Sequence, residues 1–326
     1  MITNKKILIT GGGGFIGTAL AEKLVKQNEI VLLDRNFDRN SFAFSELKSN
    51  KDVRLVEADI LDTQEVASVA QGAQIVVHTA AILGVQEVLH NTSHTLDVNY
   101  TGTSNVLKAV ASNSGCERVV YLSTSEIFGD TAFRATENGK AVLSSIQDAR
   151  WCYCISKLAA EQLAFGYFRE KGLPVVVIRP FNIFGPGRIG DHVVLWFILN
   201  ALSNKDLKVY GDGTQIRAWC YIDDLCNALL QCIEVEGAVG QAFNIGNSRN
   251  TLTIYDLAKK VVSLCGSKSK IIFKALDFTD IDIRVPNTSK ARDVLGFIPE
   301  IELEEGLSRT IEWFKKYANE ISSLIS

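Results

Sequence analysis

Four consecutive glycines and a fifth three residues on, in Thr10-Gly-Gly-Gly-Gly-Phe-Ile-Gly17, join the apolar run Lys6–Thr10 to a helix-like stretch from Gly14 to Lys26. A chain that passes from a strand to a helix through glycines at 11, 14 and 17 has few folds open to it. Gly11 permits a tight turn, Gly14 lets the backbone approach a pyrophosphate, and Gly17 allows the helix to pack closely on the strand. The helix start then offers unpaired N–H groups and the positive end of its dipole to phosphate. About 20 residues beyond the turn, where a dinucleotide-binding unit needs an acid, Asp34 ends the run Val31-Leu-Leu-Asp34. Strand, turn, helix and acid agree, and together they point to a bound dinucleotide.

The carboxylate of Asp34 suits two free ribose hydroxyls and repels a 2′-phosphate, so NAD is expected rather than NADP. Arg35, the next residue, works against that preference. Asp59, in Ala58-Asp59-Ile60, is a candidate for the adenine amino group, a role compatible with its plainer alternative, a helix N-cap.

The rest of the first half repeats the alternation. Strands are expected at Lys6–Thr10, Ile30–Asp34, Val53–Glu57, Ile75–His78, Val119–Ser123 and Val175–Arg179. Helices are expected near Gln64–Ala70, Leu96–Ser112 and Tyr153–Lys171. The strands are nearly continuous apolar runs, as strands covered on both faces are. The expected fold class is therefore α/β, a doubly wound parallel sheet. After Arg179 the texture changes: Pro180, Gly185, Pro186, Gly187 and Gly190 break the chain. Helices at Val193–Leu202, Asp224–Ile233, Ile254–Cys265 and Leu303–Lys316 and a strand at Ala242–Ile245 come after them in irregular order. We expect residues 1–180, with parts of 218–247, to bind the dinucleotide, and 181–326, discontinuously, to form a smaller substrate lobe.

Composition narrows the partners. With 47% apolar and 22% charged residues among 326, the chain has ample material for a core, which excludes a disordered chain. A net charge of −3 leaves no electrostatic footprint for nucleic acid, and no apolar run is long enough for a membrane span. Two lysines precede Ile7-Leu8-Ile9, but the glycines end that run too soon for a signal peptide. Seven cysteines, with no C-x-x-C pair and no zinc spacing, suit buried thiols in a reduced cytoplasm, and no metal is expected. The Asn-x-Ser/Thr matches at Asn91, Asn99 and Asn287 carry no meaning there.

The chemistry centres on Arg150-Trp-Cys-Tyr-Cys-Ile-Ser-Lys157. Tyr153 and Lys157 are four apart and share a helix face. A free phenol, with a pKa near 10, is a poor base at neutral pH. A nearby ammonium and a positive nicotinamide ring favour its phenolate, which can take a proton from a sugar hydroxyl as hydride leaves the same carbon. Ser123, at the end of its strand, lies at the sheet edge where such chemistry collects.

This combination resembles the extended short-chain dehydrogenase/reductase family, the NAD-dependent nucleotide-sugar epimerases, dehydratases and decarboxylases. The likeness runs through the glycine turn, Asp34, Ala58–Ile60, Val76–Ala81, Asn99–Leu107, Leu122–Asp130, Tyr153 and Lys157. It continues through Arg179–Gly187, Gly211–Leu225 and Ala242–Asn247. The resemblance implies cofactor contacts at Gly11, Gly14, Phe15, Ile16, Gly17, Asp34, Arg35, Asp59, Ile60, Thr79, Ala80, Ala81, Asn99, Ser123, Tyr153, Lys157 and Pro180. It implies that Thr124 bonds the sugar 4-hydroxyl and that Asn182 and Arg217 hold a nucleotide diphosphate. It also implies a homodimer through Leu96–Ser112 and Tyr153–Lys171.

All members begin with C4 oxidation, and the residues after Thr124 direct the fate of the 4-keto sugar. Here they are Ser125 and Glu126, where sugar 4,6-dehydratases commonly carry Asp-Glu, while GDP-mannose dehydratases and UDP-glucuronate decarboxylases resemble this chain with Ser-Glu. Arg150-Trp151 and Arg284, in Asp277-Phe-Thr-Asp-Ile-Asp-Ile-Arg284, look like the decarboxylases' substrate-binding step and the arginine directed at the sugar carboxylate. Decarboxylation of a UDP-hexuronate is thus expected, with 4,6-dehydration or 4-epimerisation as alternatives. An NADP carbonyl reductase and a non-catalytic dinucleotide sensor are further classes, disfavoured by Asp34 and by the retained Tyr153 and Lys157. His90 and His94 lack a third ligand and read as exposed polar residues. His78 is expected beside the cofactor, while His192, Trp196 and Phe197 are as well explained by packing as by substrate.

Overall fold

The apolar runs of the first half lie side by side in the computed structural model, which describes residues 2–37, 45–145, 147–275 and 280–317. Its strands are β1 (Lys6–Thr10), β2 (Glu29–Asp34), β3 (Val53–Glu57), β4 (Ile75–His78), β5 (Arg118–Leu122), β6 (Thr131–Ala135), β7 (Val175–Pro180), β8 (Ile183–Phe184), β9 (Leu207–Tyr210), β10 (Ile216–Ala218), β11 (Cys220–Tyr221), β12 (Ala242–Ile245), β13 (Thr251–Thr253), β14 (Ile271–Lys274) and β15 (Ile283–Pro286). Its helices are α1 (Phe15–Leu24), α2 (Ser45–Lys48), α3 (Thr63–Ala70), α4 (Val85–His90), α5 (Thr92–Leu96), α6 (Thr103–Ala111), α7 (Cys152–Lys171), α8 (Val193–Leu202), α9 (Ile222–Glu234), α10 (Ile254–Cys265) and α11 (Leu303–Lys316).

Seven strands form one parallel sheet in the order β12-β7-β5-β4-β1-β2-β3. The order reverses between β1 and β4, the switch point at whose carboxyl edge open α/β sheets bind ligands. There Thr79, just past β4, donates its hydroxyl to the Thr10 carbonyl of β1 at 2.7 Å. Two apolar clusters sandwich the sheet. Ile7, Ile9, Ile30 and Leu32 pack toward α1, α8 and α9, while Leu8, Val31, Val76 and Val119 pack toward α3, α6 and α7. A smaller sheet, β13-β10-β15-β6, runs parallel except for the β10–β13 pair. Its β10–β15 register sets Arg217 beside Arg284. No disulfide joins the seven cysteines, and no helix among the described residues is long and apolar enough to cross a membrane.

The structure adds three features that the sequence expectations do not contain. The helix expected over Leu96–Ser112 is interrupted by a π-helical turn at Asp97–Gly102. The wider turn directs Asn99 inward, where its amide accepts from Ile82 N–H and donates to Ile82 O and Ser156 Oγ at 2.8–3.1 Å. Gly102 completes the fit, since a Cβ there would stand 2.5 Å from Ile60. The spacing of His90 and His94 likewise spans a break at Asn91 and lies on two helices, α4 and α5. His78 is a buried strut: its ring nitrogens meet the hydroxyls of Thr10 and Thr103 at 2.5 and 2.9 Å.

Helix α7 is tied to the sheet by charge. Glu161 is buried and receives both Nε and Nη2 of Arg179 on β7. Removing one partner of such a pair strands the other in a dry interior. Glu161→Leu is therefore expected to lower unfolding free energy by about 3–5 kcal/mol, and adding Arg179→Met to recover most of it. Urea unfolding of the two variants checks this. A single variant as stable as the parent contradicts it.

Candidate active site

The phosphate-binding turn has the backbone its glycines require. Gly11 has φ +70°, and a Cβ there would meet Ala80 N at 2.7 Å. A Cβ on Gly17 would lie 2.4 Å from the Gly11 carbonyl, whereas one on Gly14 would find only that oxygen, at 3.1 Å. Gly12 is not singled out by the spacing, yet its Cβ would press on Leu32 of β2 at 2.7 Å. No side chain caps α1 at Gly14. Its first-turn amides are therefore left for an anion. Asp34 sits at the end of β2, accepting from Gly13 N–H at 3.0 Å and Asn36 N–H at 3.3 Å, and burial raises its carboxyl above the usual range. An uncapped helix beside an acid at the edge of β2 fits the pyrophosphate and ribose of a dinucleotide. Asp59, the candidate for the adenine amino group, does not take its alternative role of N-cap. It accepts from Leu61 N–H in a local turn, and Asp62 caps α3 through Gln64 and Glu65 N–H.

A cavity of about 750 Å³ opens at the carboxyl edge of the sheet toward the smaller lobe. It brings together Phe15, Ile16, Thr79, Ala81, Ser123, Tyr153, Lys157 and Pro180 from the expected cofactor set. Thr124, Ser125, Glu126, Arg150, Asn182, Arg217 and Arg284 line it from the other side. Gly11, Gly14, Gly17, Asp34, Arg35, Asp59, Ile60 and Ala80 lie outside that lining, at or near the ends of β1 to β4. Asn99 is not brought to the cavity, because its amide is consumed by Ile82 and Ser156.

Glu126 is the centre of charge. It lies in a short 3-10 turn, Ser125–Phe128, capped by Thr124, whose hydroxyl accepts from Glu126 N–H at 3.2 Å. Arg150 donates to both its oxygens, at 2.7 and 3.2 Å, and Arg284 donates from β15 at 3.2 Å. Burial alone would raise this carboxyl, but the two guanidinium groups outweigh it and hold the group at about 2. Arg284 is little used: its other contact is the Gly129 carbonyl at 3.4 Å, and its buried Nε has no partner. Arg217 leans on Asp280 at 3.2 Å, and Asn182, at φ +42°, donates to the Ala218 carbonyl at 2.9 Å. Of the Asp277–Arg284 string, residues 277–279 lie outside the described residues.

Tyr153 and Lys157 share the cavity, but the chain's own groups alone do not make the phenol acidic. Burial pushes the Tyr153 phenol up to about 12, and the Glu126 carboxylate adds to the rise, while the Thr124 hydroxyl and the Arg188 and Arg284 charges pull the other way. Lys157 does not supply the lowering that four-residue spacing promised. Its ammonium lies over the Tyr121 ring, 4.4 Å from the centroid, and burial draws it down to about 7. Sequence reasoning also passes over Arg188, Lys208, Gln215 and Trp219, which line the same space. Their only signal is a place beside a glycine-rich or arginine-bearing motif. Taken together, six cationic side chains and three carboxylates face the cavity, a lining suited to a ligand with several negative charges.

The model of the NAD dependent epimerase/dehydratase family matches residues 7–246. The chain belongs to that family, an enzyme family whose cofactor is NAD and whose members include nucleotide-sugar decarboxylases, epimerases and dehydratases. It is 34% identical to a UDP-N-acetyl-alpha-D-glucosaminuronate decarboxylase from Bacillus cytotoxicus, covering 97% of this chain and 99% of that one. A UDP-glucuronate 4-epimerase from Thermodesulfobacterium geofontis is 30% identical, covering 97% and 98%. Among solved structures, the dTDP-glucose 4,6-dehydratase DesIV from Streptomyces venezuelae, with NAD and TYD bound, superposes with a TM-score of 0.89 at 26% identity, covering 98% of this chain and 99% of that one. Three different outcomes among these relatives leave the choice of reaction to the residues of the site.

Proposed function

We propose that this enzyme decarboxylates a UDP-hexuronate, UDP-glucuronate in the first instance, by way of a 4-keto sugar. The observation that supports this most is the pair Arg150 and Arg284 converging on Glu126 in the cavity that also holds Tyr153. Arg284 retains donors for a further carboxylate, so it suits the sugar C6 carboxylate in the ground state and the enolate oxygen as CO₂ departs. A 4,6-dehydratase of the Asp-Glu type uses an acid to protonate the leaving hydroxyl and a free base for the C5 proton. Ser125 has no acidic proton to give, and Glu126, held at about 2 by two arginines, is a weak base.

Bound NAD would supply the acceptor for the C4 hydride and a positive charge that favours the phenolate. The uncapped start of α1, Gly14 and Asp34 would hold its pyrophosphate and adenosine ribose. Thr124 and Tyr153 orient the 4-hydroxyl, and Tyr153 as phenolate takes its proton. Arg217 and Asn182 serve the substrate diphosphate. The ketone at C4 makes the C6 carboxylate a β-keto acid, whose C5–C6 electron pair passes into the enolate as CO₂ leaves. Residues 1–180 with parts of 218–247 serve the cofactor in this reading, and 181–326, discontinuously, the sugar nucleotide.

Incubation with NAD and UDP-glucuronate is expected to release CO₂ and leave a UDP-pentose or its 4-keto form, detected by mass spectrometry. Turnover of UDP-glucose or GDP-mannose with UDP-glucuronate untouched contradicts the reading, as does a UDP-hexuronate epimer with its carboxylate retained. We also propose a homodimer through the expected segments, where Leu96, Tyr100 and Ile155 leave large apolar side chains about 40% exposed. A cytoplasmic setting suits the seven unpaired thiols.

A further inference from the structure

One cation of the cavity stands apart from the Glu126 cluster. Arg217, Arg284 and Arg150 form one electrostatic group around Glu126, and Asp280 acts on Arg217 and Arg150. Arg188 belongs to the opposite wall, in the loop between β8 and α8, and its electrostatic neighbours are Tyr153, Asp191 and His192. Gly187 at φ +83° and Gly190 at φ +99° let this loop fold back, a conformation costly to other residues. The fold brings the guanidinium over Phe15, 5.7 Å from the ring centroid, and Phe15 is the first residue of α1.

That guanidinium is poorly satisfied. Its Nε is shielded from solvent and has no hydrogen-bond partner. Among the described residues no carboxylate forms an ion pair with it, whereas Arg150, Arg217 and Arg284 each have one. A half-buried cation with no ion pair and a shielded, unpartnered Nε is costly unless an anion completes it. The start of α1 beside it is itself uncapped and offers N–H groups to the same anion.

We propose that Arg188 is a ligand of the cofactor's pyrophosphate, closing over it from the side opposite the glycine turn. The phosphate oxygens would lie between the first-turn amides of α1 and the guanidinium, a fork of donors that suits them. The same placement keeps a positive charge near Tyr153, in the direction that favours its phenolate. The assignment does not depend on which reaction comes after C4 oxidation.

Titration calorimetry on the full chain tests it with two ligands, ADP-ribose, which carries the pyrophosphate but no nicotinamide, and UDP, which reports the substrate side. Arg188→Met is expected to weaken ADP-ribose binding about ten- to hundred-fold, the worth of one charge-assisted hydrogen bond. UDP affinity should stay within about two- to three-fold of the parent, the scatter expected of a distant site. Arg188→Lys should restore part of the loss, and the salt dependence of ADP-ribose binding should be shallower in Arg188→Met. Unchanged ADP-ribose affinity overturns the proposal. So does a loss confined to UDP, which would assign Arg188 to the substrate, or an equal loss of both ligands, which would make it a structural residue.

Discussion

Tyr153→Phe is expected to lower the rate of C4 oxidation by about 10²–10⁴-fold, the usual worth of a positioned acid–base group. The change removes one oxygen and leaves the ring to pack beside Thr124 and Lys157, so NAD affinity should remain largely intact. The pH dependence is set by the site. The chain's own groups hold the phenol at about 12, chiefly by burial and then by the Glu126 charge. The base form therefore grows as pH rises, and the parent rate should climb through the neutral range toward alkaline pH. The variant has no phenol to ionise and should lose that dependence along with the rate. Stopped-flow measurement of NADH formation across pH reads both effects. Unchanged turnover in Tyr153→Phe removes this residue from the mechanism.

Arg284→Leu is expected to lower CO₂ release by about 10²–10³-fold, as loss of one preorganised charge at a developing anion does. Its guanidinium touches Glu126 at 3.2 Å and the Gly129 carbonyl at 3.4 Å, and neither contact uses the fork fully. Two consequences separate its role from a purely structural one. NADH formation in a single turnover should fall less than CO₂ release, because hydride transfer at C4 does not need the C6 carboxylate to be neutralised. Arg284→Lys should restore part of the rate but not its full value, since an ammonium keeps the charge and loses the bidentate geometry. The Glu126 carboxyl, left with Arg150 alone, should also rise from about 2. Equal losses of NADH formation and CO₂ release, not relieved by lysine, contradict the assignment.

The cofactor half of the fold is legible because its signals are local. Five glycines, one acid and runs of β-branched residues determine the β1–α1–β2 unit within 34 residues of chain. The strands expected over Lys6–Thr10, Val53–Glu57, Ile75–His78 and Ala242–Ile245 form with those bounds. What sequence could not show is long-range or depends on where a side chain ends. Arg284 lies 158 residues from Glu126 and reaches it only because β15 pairs with β10 and β6. The π-helical turn at Asp97–Gly102 has no periodicity of its own, since its cause is Asn99 bonding a different loop and helix. Four-residue spacing put Lys157 and Tyr153 on one face, but Tyr121 of β5 captures the ammonium. Spacing reports direction along a helix, whereas desolvation, which governs the Tyr153 phenol, belongs to the assembled cavity.

The claim on which the account turns is that carbon is lost from C6 only after hydride has left C4. UDP-glucuronate carrying deuterium at C4 and ¹³C at C6 tests it in a single turnover with NAD. The account predicts that deuterium appears on the reduced nicotinamide, that ¹³CO₂ release is slowed by the deuterium, and that Tyr153→Phe abolishes both signals together. Labelled CO₂ released at the same rate with either isotope at C4 and no deuterium on the coenzyme would contradict it, and so would deuterium transfer with the ¹³C label retained in the sugar.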